Sequence, residues 1–236
     1  MTDTNPELSI RNTEPRDFAG IGDLCRRVYP ETAPWSPEQL ASHLRVFPAG
    51  QLVVVQGPEE HVVGMTASVI VRWDHYDMFD TWDDLTANGM LTNHDAENGH
   101  TLYGVEAIVD PALQGHGLGH KIVSAQKELT QRFGLWRMRG GARLRDYHHH
   151  ARQMSAPDYV IAVVHGKIMD HTLTFHLHEG FHVLAVIPHY LCDDSETLGY
   201  AALVEWLNPA TLQPHHYASR PTRFLHSDVV RQFHTG

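Results

Sequence analysis

A glycine at every second position, within Gln-Gly-His-Gly-Leu-Gly-His at residues 114–120, constrains this chain more than any other feature. The stretch follows residues 101–109, whose composition is typical of a β-strand. It precedes apolar residues at helical spacing, which are Leu118, Ile122, Ala125, Leu129 and Phe133. The first amide groups of a helix lack internal partners, and glycine lets an anion approach them. The junction therefore predicts a phosphate-binding loop rather than a tight turn that binds nothing.

A dinucleotide-binding fold is the first alternative for such a loop. Its fingerprint spaces the glycines G-x-G-x-x-G and places an acidic residue about 20 positions later at a strand end. Here the spacing is G-x-G-x-G, and residues 137–141 read Arg-Met-Arg-Gly-Gly. No acid stands where a ribose would be bound, so the pattern does not favour this fold.

Periodicity and turn residues predict alternating strands and helices along the chain. The predicted strands lie at residues 8–11, 52–55, 62–71, 101–109, 135–141, 181–187 and 198–206. The predicted helices lie at residues 15–29, 37–46, 117–134, 155–164 and 170–179. We therefore expect one α/β domain over residues 8–207, after a flexible N-terminus at 1–7 and before a C-terminal tail at 208–236. Residues 73–100 are rich in aromatic residues, Asp and Asn, which predicts an ordered insertion near the acceptor site.

Two segments resemble a known family. Gln114-x-x-Gly117-x-Gly119, preceded by Val109-x-Pro111 at a strand end, resembles the acetyl-CoA motif of the GNAT N-acetyltransferase superfamily. Phe-His-Leu-His-Glu-Gly-Phe at residues 175–181 resembles the later helix-turn-strand segment of that superfamily. The order and separation of the two segments fit a single GNAT domain.

A narrower likeness concerns GNAT domains that are fused to nitrilase-type carbon-nitrogen hydrolases. The segments that resemble them are Asp80–Asp83, Asn93–Asp95, Thr101–Glu106, Gly140–Arg143 and Gly199–Ala201. About 30 residues follow Trp206, too few for a second catalytic domain, so we expect a free-standing version.

The resemblance implies a mixed, mostly antiparallel central sheet that is flanked by helices and splayed beside the cofactor. It implies acetyl-CoA as co-substrate, with the pyrophosphate on the loop amides and the thioester carbonyl facing the edge of Ile108 or Val109. The implied cofactor-binding residues are Ile108, Val109, Gln114, Gly115, His116, Gly117, Leu118, Gly119 and His120.

Direct attack on a thioester requires a neutral amine, and an alkylamine with a pKa near 10.4 is only about one part in a thousand neutral at pH 7. Glu106 is the candidate base, because it lies on the strand that leads into the loop, with Val105 and Ala107 on the opposite face. A structural carboxylate, for example one paired with an arginine, is the alternative reading of Glu106. Acids within residues 74–97 could also serve as the base.

Many GNAT enzymes protonate the departing thiolate from a tyrosine one turn before the Gly-Phe pair. This chain has His176 at that place, so the resemblance implies His176 as the general acid. A histidine that only packs is the alternative, and Tyr190 and Tyr147 are other candidate donors.

Twenty histidines raise the question of a metal site. Adjacent histidines at 148–150 point in different directions, and His178 and His182 are separated by Gly180. The acids at 80, 83 and 84 lack the spacing of an EF-hand. The sequence therefore predicts no metal, although a histidine-based metalloprotein stays open as a third class of function.

The net charge of -10 has the wrong sign for a protein that neutralises a phosphate backbone, so nucleic acid is not expected as a partner. No apolar run approaches the roughly 18 to 20 residues that span a bilayer, so no membrane partner is expected. Two unpaired cysteines and no visible leader predict a cytoplasmic protein, and a homodimer stays open.

These observations predict an N-acetyltransferase that moves an acetyl group from acetyl-CoA to a primary amine of a small molecule. A small acceptor is favoured over a protein lysine, because the insertion is expected to wall a pocket. The alternative is a non-catalytic acyl-CoA-binding module, which would keep the glycine loop and need no base.

Overall fold

The computed structural model describes residues 8–191, 194–217 and 220–225. Its strands are β1 (Leu8–Asn12), β2 (Gln51–Gln56), β3 (His61–Val71), β4 (Thr101–Val109), β5 (Arg137–Arg143), β6 (His182–Ile187) and β7 (Ala201–Leu207). Its helices are α1 (Phe18–Val28), α2 (Pro37–Val46), α3 (Trp82–Thr86), α4 (Leu118–Arg132), α5 (Ala156–Val164) and α6 (His171–His178). Among these helices, none combines the length and the apolarity needed to cross a membrane.

The seven strands form one sheet in the order β1-β2-β3-β4-β5-β7-β6. Every neighbouring pair is antiparallel except β4 and β5, which run parallel. The predicted mixed, mostly antiparallel sheet is therefore confirmed. Alternate side chains of β3 enter two different apolar clusters: Val69 and Val71 pack with α1 and α2, whereas Ile70 packs with α4, α5 and α6. Helices thus cover both faces of the sheet.

Local capping signals fix the helix starts where the sequence predicted them. Ser36 and Gln39 form a capping box at α2: the Gln39 N–H donates to Ser36 Oγ at 3.2 Å, and the Ser36 N–H donates to Gln39 Oε1 at 3.0 Å. Ser155 caps α5 by accepting from the Asp158 N–H, and Asp170 caps α6 by accepting from the N–H groups of Thr172 and Leu173.

Some predicted boundaries were wrong by a few residues. Helix α4 ends at Arg132, and Phe133 leaves the apolar stripe with 40% of its surface exposed. Strand β5 begins at Arg137 rather than at 135. Strand β7 begins at Ala201, because Leu198 and Gly199 adopt positive φ values that a strand does not allow.

The insertion at 73–100 folds back onto the sheet. It contains α3, and its Asp95 N–H donates to the Ile70 carbonyl of β3 at 2.9 Å. The tail from residue 208 also packs on the sheet where it is described. Asn208 Nδ2 donates to the Leu135 carbonyl at 2.7 Å, and Phe224 is buried in the cluster with α5 and α6. The flexible N-terminus expected at 1–7 lies outside the described residues.

Candidate active site

The two parallel strands at the centre of the sheet separate halfway along their length. Strand β4 pairs with β5 from Thr101 opposite Arg137 only as far as Gly104 opposite Gly140. Beyond that point β4 continues beside β3, and β5 continues beside β7 as far as Arg143. The backbone of residues 105–109 therefore borders an opening, and the splay that the resemblance implied is confirmed.

A β-bulge shapes β4 at the start of this opening. Glu106 lies opposite Ala67 and Gly104 lies opposite Ser68, which leaves Val105 as an extra residue. The indole Nε1 of Trp82, on α3, donates to the Val105 carbonyl at 3.1 Å. Val105 packs in the apolar cluster of α1 and α2, the side to which Glu106 also points. Strict alternation, which placed Val105 on the face opposite Glu106, was therefore wrong at the bulge.

The register also decides which amide of β4 faces the opening. The Asp110 N–H donates to the Val63 carbonyl of β3 at 2.8 Å. Because amides alternate in direction along a strand, the Ile108 N–H points to β3 and the Val109 N–H points into the opening. The Val109 carbonyl shares this side and accepts from Gln114 Nε2 at 3.3 Å. Of the two residues that the sequence proposed, Val109 thus has the accessible amide.

The glycine loop presents a row of amides at the N-terminus of α4. The first backbone bond inside the helix runs from the Lys121 N–H to the Gly117 carbonyl at 3.1 Å. Within the described part of the chain, no N–H group of residues 115–120 has a protein acceptor. The first turn of α4 holds no acidic side chain, and the loop is mostly exposed. These free donors and the helix dipole fit the pyrophosphate of a coenzyme A thioester.

The three glycines are required for different reasons. Gly115 and Gly117 both have a φ of +79°, which side chains rarely adopt, and a Cβ there would meet no atom within 4 Å. Gly119 has helical backbone, but a Cβ there would lie 3.2 Å from the Phe175 ring of α6. The first two glycines shape the loop, and the third allows α4 and α6 to approach each other.

Both histidines of the glycine loop have hydrogen-bond partners. His116 Nδ1 lies 3.0 Å from the Gln114 carbonyl. His120 Nδ1 lies 2.7 Å from Glu179 Oε1, and Glu179 Oε2 lies 3.2 Å from Lys127 Nζ. Burial raises the pKa of Glu179, but the bonds from His120 and Lys127 outweigh it and hold that pKa below its usual value. Glu179 therefore fixes a cation beside the loop.

Glu106 lies half-buried beside the opening. Its Oε1 accepts from the Tyr29 hydroxyl at 3.4 Å and from the Ala107 N–H at 3.2 Å. Burial raises the pKa of Glu106, although the charge of Arg143 and the two hydrogen bonds oppose the rise. No guanidinium or ammonium of the described residues forms an ion pair with this carboxylate within 4.0 Å. The side chain can therefore take a proton nearer to neutral pH than an ordinary glutamate.

Sequence reasoning missed the residues around Glu106. Tyr29 follows α1, Arg143 ends β5, and Asp194 lies in the connection from β6 to β7. The narrower likeness includes Gly140–Arg143, but it predicts no role for Arg143. Local pattern alone could not find these contacts, because Tyr29 and Glu106 are 77 positions apart.

His176 lies on α6 with its ring between Phe175 and Phe181. Its Nδ1 lies 2.8 Å from the Thr172 carbonyl, which can only accept, so Nδ1 bears a proton. Burial lowers the pKa of His176 and favours the neutral ring, in which Nε2 has no proton to donate. The acid role of His176 stays a prediction, and this geometry works against it.

The two alternative tyrosines differ in their surroundings. Tyr147 is buried beneath α5, and its hydroxyl donates to the Met154 carbonyl at 3.2 Å. Tyr190 lies against Gly141, where β5 leaves β4, and its hydroxyl is hydrogen-bonded to that of Tyr103. Only Tyr190 is therefore beside the opening. Within the described residues, no group of three or more His, Cys, Asp or Glu side chains could hold a metal ion.

Comparisons with known proteins agree with this geometry. No family model matches the chain. It is 36% identical over 208 residues to the probable hydrolase YhcX of Bacillus subtilis (strain 168), covering 88% of this chain but only 40% of that protein. It is 34% identical over 206 residues to the uncharacterized N-acetyltransferase YkwB of the same strain, covering 85% of this chain and 89% of that protein.

Solved structures show the same fold. The GphF GNAT-like decarboxylase in complex with isobutyryl-CoA superposes with a TM-score of 0.70 at 23% identity, over 85% of this chain and 99% of that one. The acetyltransferase relative is matched along most of its length, and the loop, the splay and the free amides fit a coenzyme A thioester. The chain therefore belongs to the GNAT N-acetyltransferase superfamily and is an acyltransferase that uses acyl-coenzyme A.

Proposed function

We propose that this enzyme transfers an acetyl group from acetyl-CoA to a primary amine of a small molecule, with Glu106 as the general base. The observation that supports it most is the position of Glu106. A half-buried carboxylate with a raised pKa borders the opening between β4 and β5, on the strand that leads into the glycine loop.

The chain's own groups would hold the cofactor at two places. The amides of residues 115–120 would bind the pyrophosphate, and the Val109 N–H and C=O would bond the pantetheine arm along β4. Bound acetyl-CoA supplies the activated acetyl group. Gln114, His116 and His120 lie around these amides, whereas Leu118 is buried beneath the loop and supports it. We propose these roles for the nine cofactor residues, with Ile108 contributing through its packing.

Glu106 would remove the proton that keeps the amine from reacting. At its ordinary pKa a carboxylate is a weak base for this purpose, and burial raises the pKa in the useful direction. The Tyr29 hydroxyl and the Ala107 N–H orient Oε1, so the other oxygen, Oε2, can face the acceptor. We assign the proton transfer to that oxygen.

A small acceptor fits the walls of the site better than a protein chain does. Trp82 of the insertion bonds the bulge carbonyl directly, and its ring packs on Trp35 at 5.6 Å between centroids. The insertion therefore covers the acceptor side of β4 instead of leaving an open strand edge. We take residues 8–207 as the catalytic domain, while a cytoplasmic location and a homodimer stay predictions from the sequence.

The proposal is tested by following free thiol while the protein is mixed with acetyl-CoA and a library of small amines. We expect thiol release that depends on one class of amine and is lost in Glu106→Gln. Glu59→Gln, on the exposed hairpin between β2 and β3, is the matched control and should keep full activity. Acetyl-CoA binding without any amine-dependent thiol release would favour the non-catalytic module.

The same assay addresses His176. Because the ring is held neutral with its proton on Nδ1, we expect His176→Asn to lower kcat by less than about ten-fold. A loss of a hundred-fold or more, with unchanged acetyl-CoA binding, would restore His176 as the acid.

A further inference from the structure

We propose that Tyr29 and Arg143 are positioning residues for Glu106, and that Asp194 holds Arg143 in place from the connection between β6 and β7. Together they form a chain of polar contacts across the opening, in the order Asp194, Arg143, Tyr29, Glu106. This inference rests on the proposed function of Glu106 as the base.

Tyr29 reaches Glu106 from the end of α1. It is the C-cap residue of that helix, and its N–H donates to the Cys25 carbonyl at 2.7 Å, which fixes the start of the side chain. The ring is half-buried, and its hydroxyl lies 3.4 Å from Glu106 Oε1. A phenol held in this way restricts the rotation of the carboxylate and leaves one carboxylate oxygen for the substrate.

Arg143 stands on the other side of the opening, at the last position of β5. Its guanidinium carbon lies 5.0 Å from the centroid of the Tyr29 ring, within range of a cation–π contact. Its Nε donates to Asp194 Oδ2 at 2.7 Å, and a second carboxylate, Glu196, lies 3.5 Å from its terminal nitrogen. Asp194 is itself fixed by the Thr197 N–H at 3.3 Å. The guanidinium is therefore held against the phenol and cannot swing to pair with Glu106.

The neighbouring side chains determine the electrostatic surroundings of the Glu106 carboxyl. Cys25 and Tyr29 face it from α1, Arg143 from β5 and Tyr190 from the segment after β6. Arg143 is the only cation in this set. Burial raises the pKa of Glu106, and the charge of Arg143 is the largest opposing influence. A base must be deprotonated to act, so removing this cation raises the pKa further and moves the acid limb of the activity profile to higher pH.

The test is the dependence of kcat/KM on pH for the amine-dependent reaction. For Arg143→Met we expect the acid limb to move up by about one pH unit. At pH values below the limb kcat/KM should therefore be about ten-fold lower than in the wild type, and above the limb it should recover. Arg143→Lys keeps the charge and should move the limb less. Tyr29→Phe should move it upward by a smaller amount, because it removes a hydrogen bond to the carboxylate. Asp194→Asn should move it downward, because it removes an anion and frees Arg143 to approach Glu106. Arg26→Gln removes a cation from an exposed site on α1, with 62% of the side chain accessible, and should leave the limb in place.

The outcomes separate this inference from the proposed function. A limb that does not move, or an equal loss at every pH, in folded Arg143→Met overturns the positioning role while Glu106→Gln still tests the base. If Arg143→Met does not fold, Tyr29→Phe and Asp194→Asn decide the matter by the direction of their shifts, which is upward for Tyr29→Phe and downward for Asp194→Asn. Full activity of Glu106→Gln would instead show that Glu106 is not the base. The contacts of Tyr29, Arg143 and Asp194 would then have no base to position.

Discussion

Two carboxylates on the same sheet, the half-buried Glu106 and the fully buried Glu205, have opposite surroundings. Glu205 on β7 is fully buried, and its Oε2 accepts from Arg139 Nε at 2.9 Å and from the terminal nitrogen of Arg139 at 2.7 Å. Arg137 and Arg220 lie 3.7 and 3.5 Å from the same carboxylate. Among the described residues, the side chain of Glu106 on β4 accepts from one phenol and one backbone N–H.

The difference follows from where the strands remain paired. Between β5 and β7 the pairing runs without interruption, so Arg139 directly opposes Glu205 and the two side chains lock together. Between β4 and β5 the pairing stops at Gly104, so Glu106 has no strand neighbour on that side. The continuous pairing of β5 and β7 gives Glu205 an arginine partner, whereas the opening leaves Glu106 without an ion-pair partner among the described residues, as the proposed base requires.

The sharpest test of this contrast is the isosteric change Glu106→Gln. We expect kcat to fall by about a hundred-fold to ten-thousand-fold, because the amide cannot accept the proton of the amine. Acetyl-CoA affinity should stay within about two-fold, since the glycine loop is untouched, as isothermal titration calorimetry would check. Retained activity, or a parallel loss of cofactor affinity, would contradict the assignment.

The same change at Glu205 should act on stability. Glu205→Gln leaves Arg139 and Arg220 buried without their anion, so we expect a loss of about 3 to 5 kcal/mol in the free energy of unfolding. Urea denaturation at pH 7 measures it. Stability within about 1 kcal/mol of the wild type would show that the cluster of arginines has another anion to hold it.

The glycines allow the same comparison at the level of the backbone. Gly117 and Gly57, the latter in the β2–β3 hairpin, have φ values of +79° and +72°, and a Cβ at either meets nothing within 4 Å. Alanine at each should cost a similar amount of stability, about 1 to 2 kcal/mol.

Only Gly117→Ala should weaken acetyl-CoA binding, by about ten-fold or more, because only that backbone is proposed to contact the pyrophosphate. Thermal unfolding and binding are measured on both variants. Equal losses of acetyl-CoA affinity in Gly117→Ala and Gly57→Ala would mean that lower stability, and not a change in the glycine loop, weakens binding.

A smaller effect concerns the dependence of stability on pH. The pKa of Glu106 is raised in the folded protein, so its contribution is favourable below the unfolded value of about 4.5 and is lost as pH rises through the folded pKa. Glu106→Gln should therefore be more stable than the wild type at pH 7, with the gap closing on acidification. A gap that widens in acid would mean that the folded pKa is depressed.

The glycine loop could be located from sequence because its signal is local. A strand, three glycines and an amphipathic helix follow one another within 35 residues, and each glycine has either a positive φ or a close approach to Phe175 that favours glycine. The helix starts at Ser36, Ser155 and Asp170 were predictable for the same reason, because each cap bonds within its own turn.

The surroundings of Glu106 could not be predicted in this way. The bulge at Val105 results from the register with β3, which no pattern within β4 reveals, and it invalidated the alternation used to orient the strand. Tyr29 and Asp194 approach the site from α1 and from the connection between β6 and β7. Such contacts depend on how the helices and connections cover the sheet.

The most direct measurement of the central claim is a titration of the Glu106 carboxyl by carbon-detected NMR, with Glu106→Gln used to assign the resonance. We expect a midpoint clearly above the value of about 4.5 of an ordinary glutamate, because burial at the opening outweighs the charge of Arg143 and the bonds from Ala107 and Tyr29. A midpoint at or below that value would show a permanently ionised structural carboxylate and would contradict Glu106 as the base.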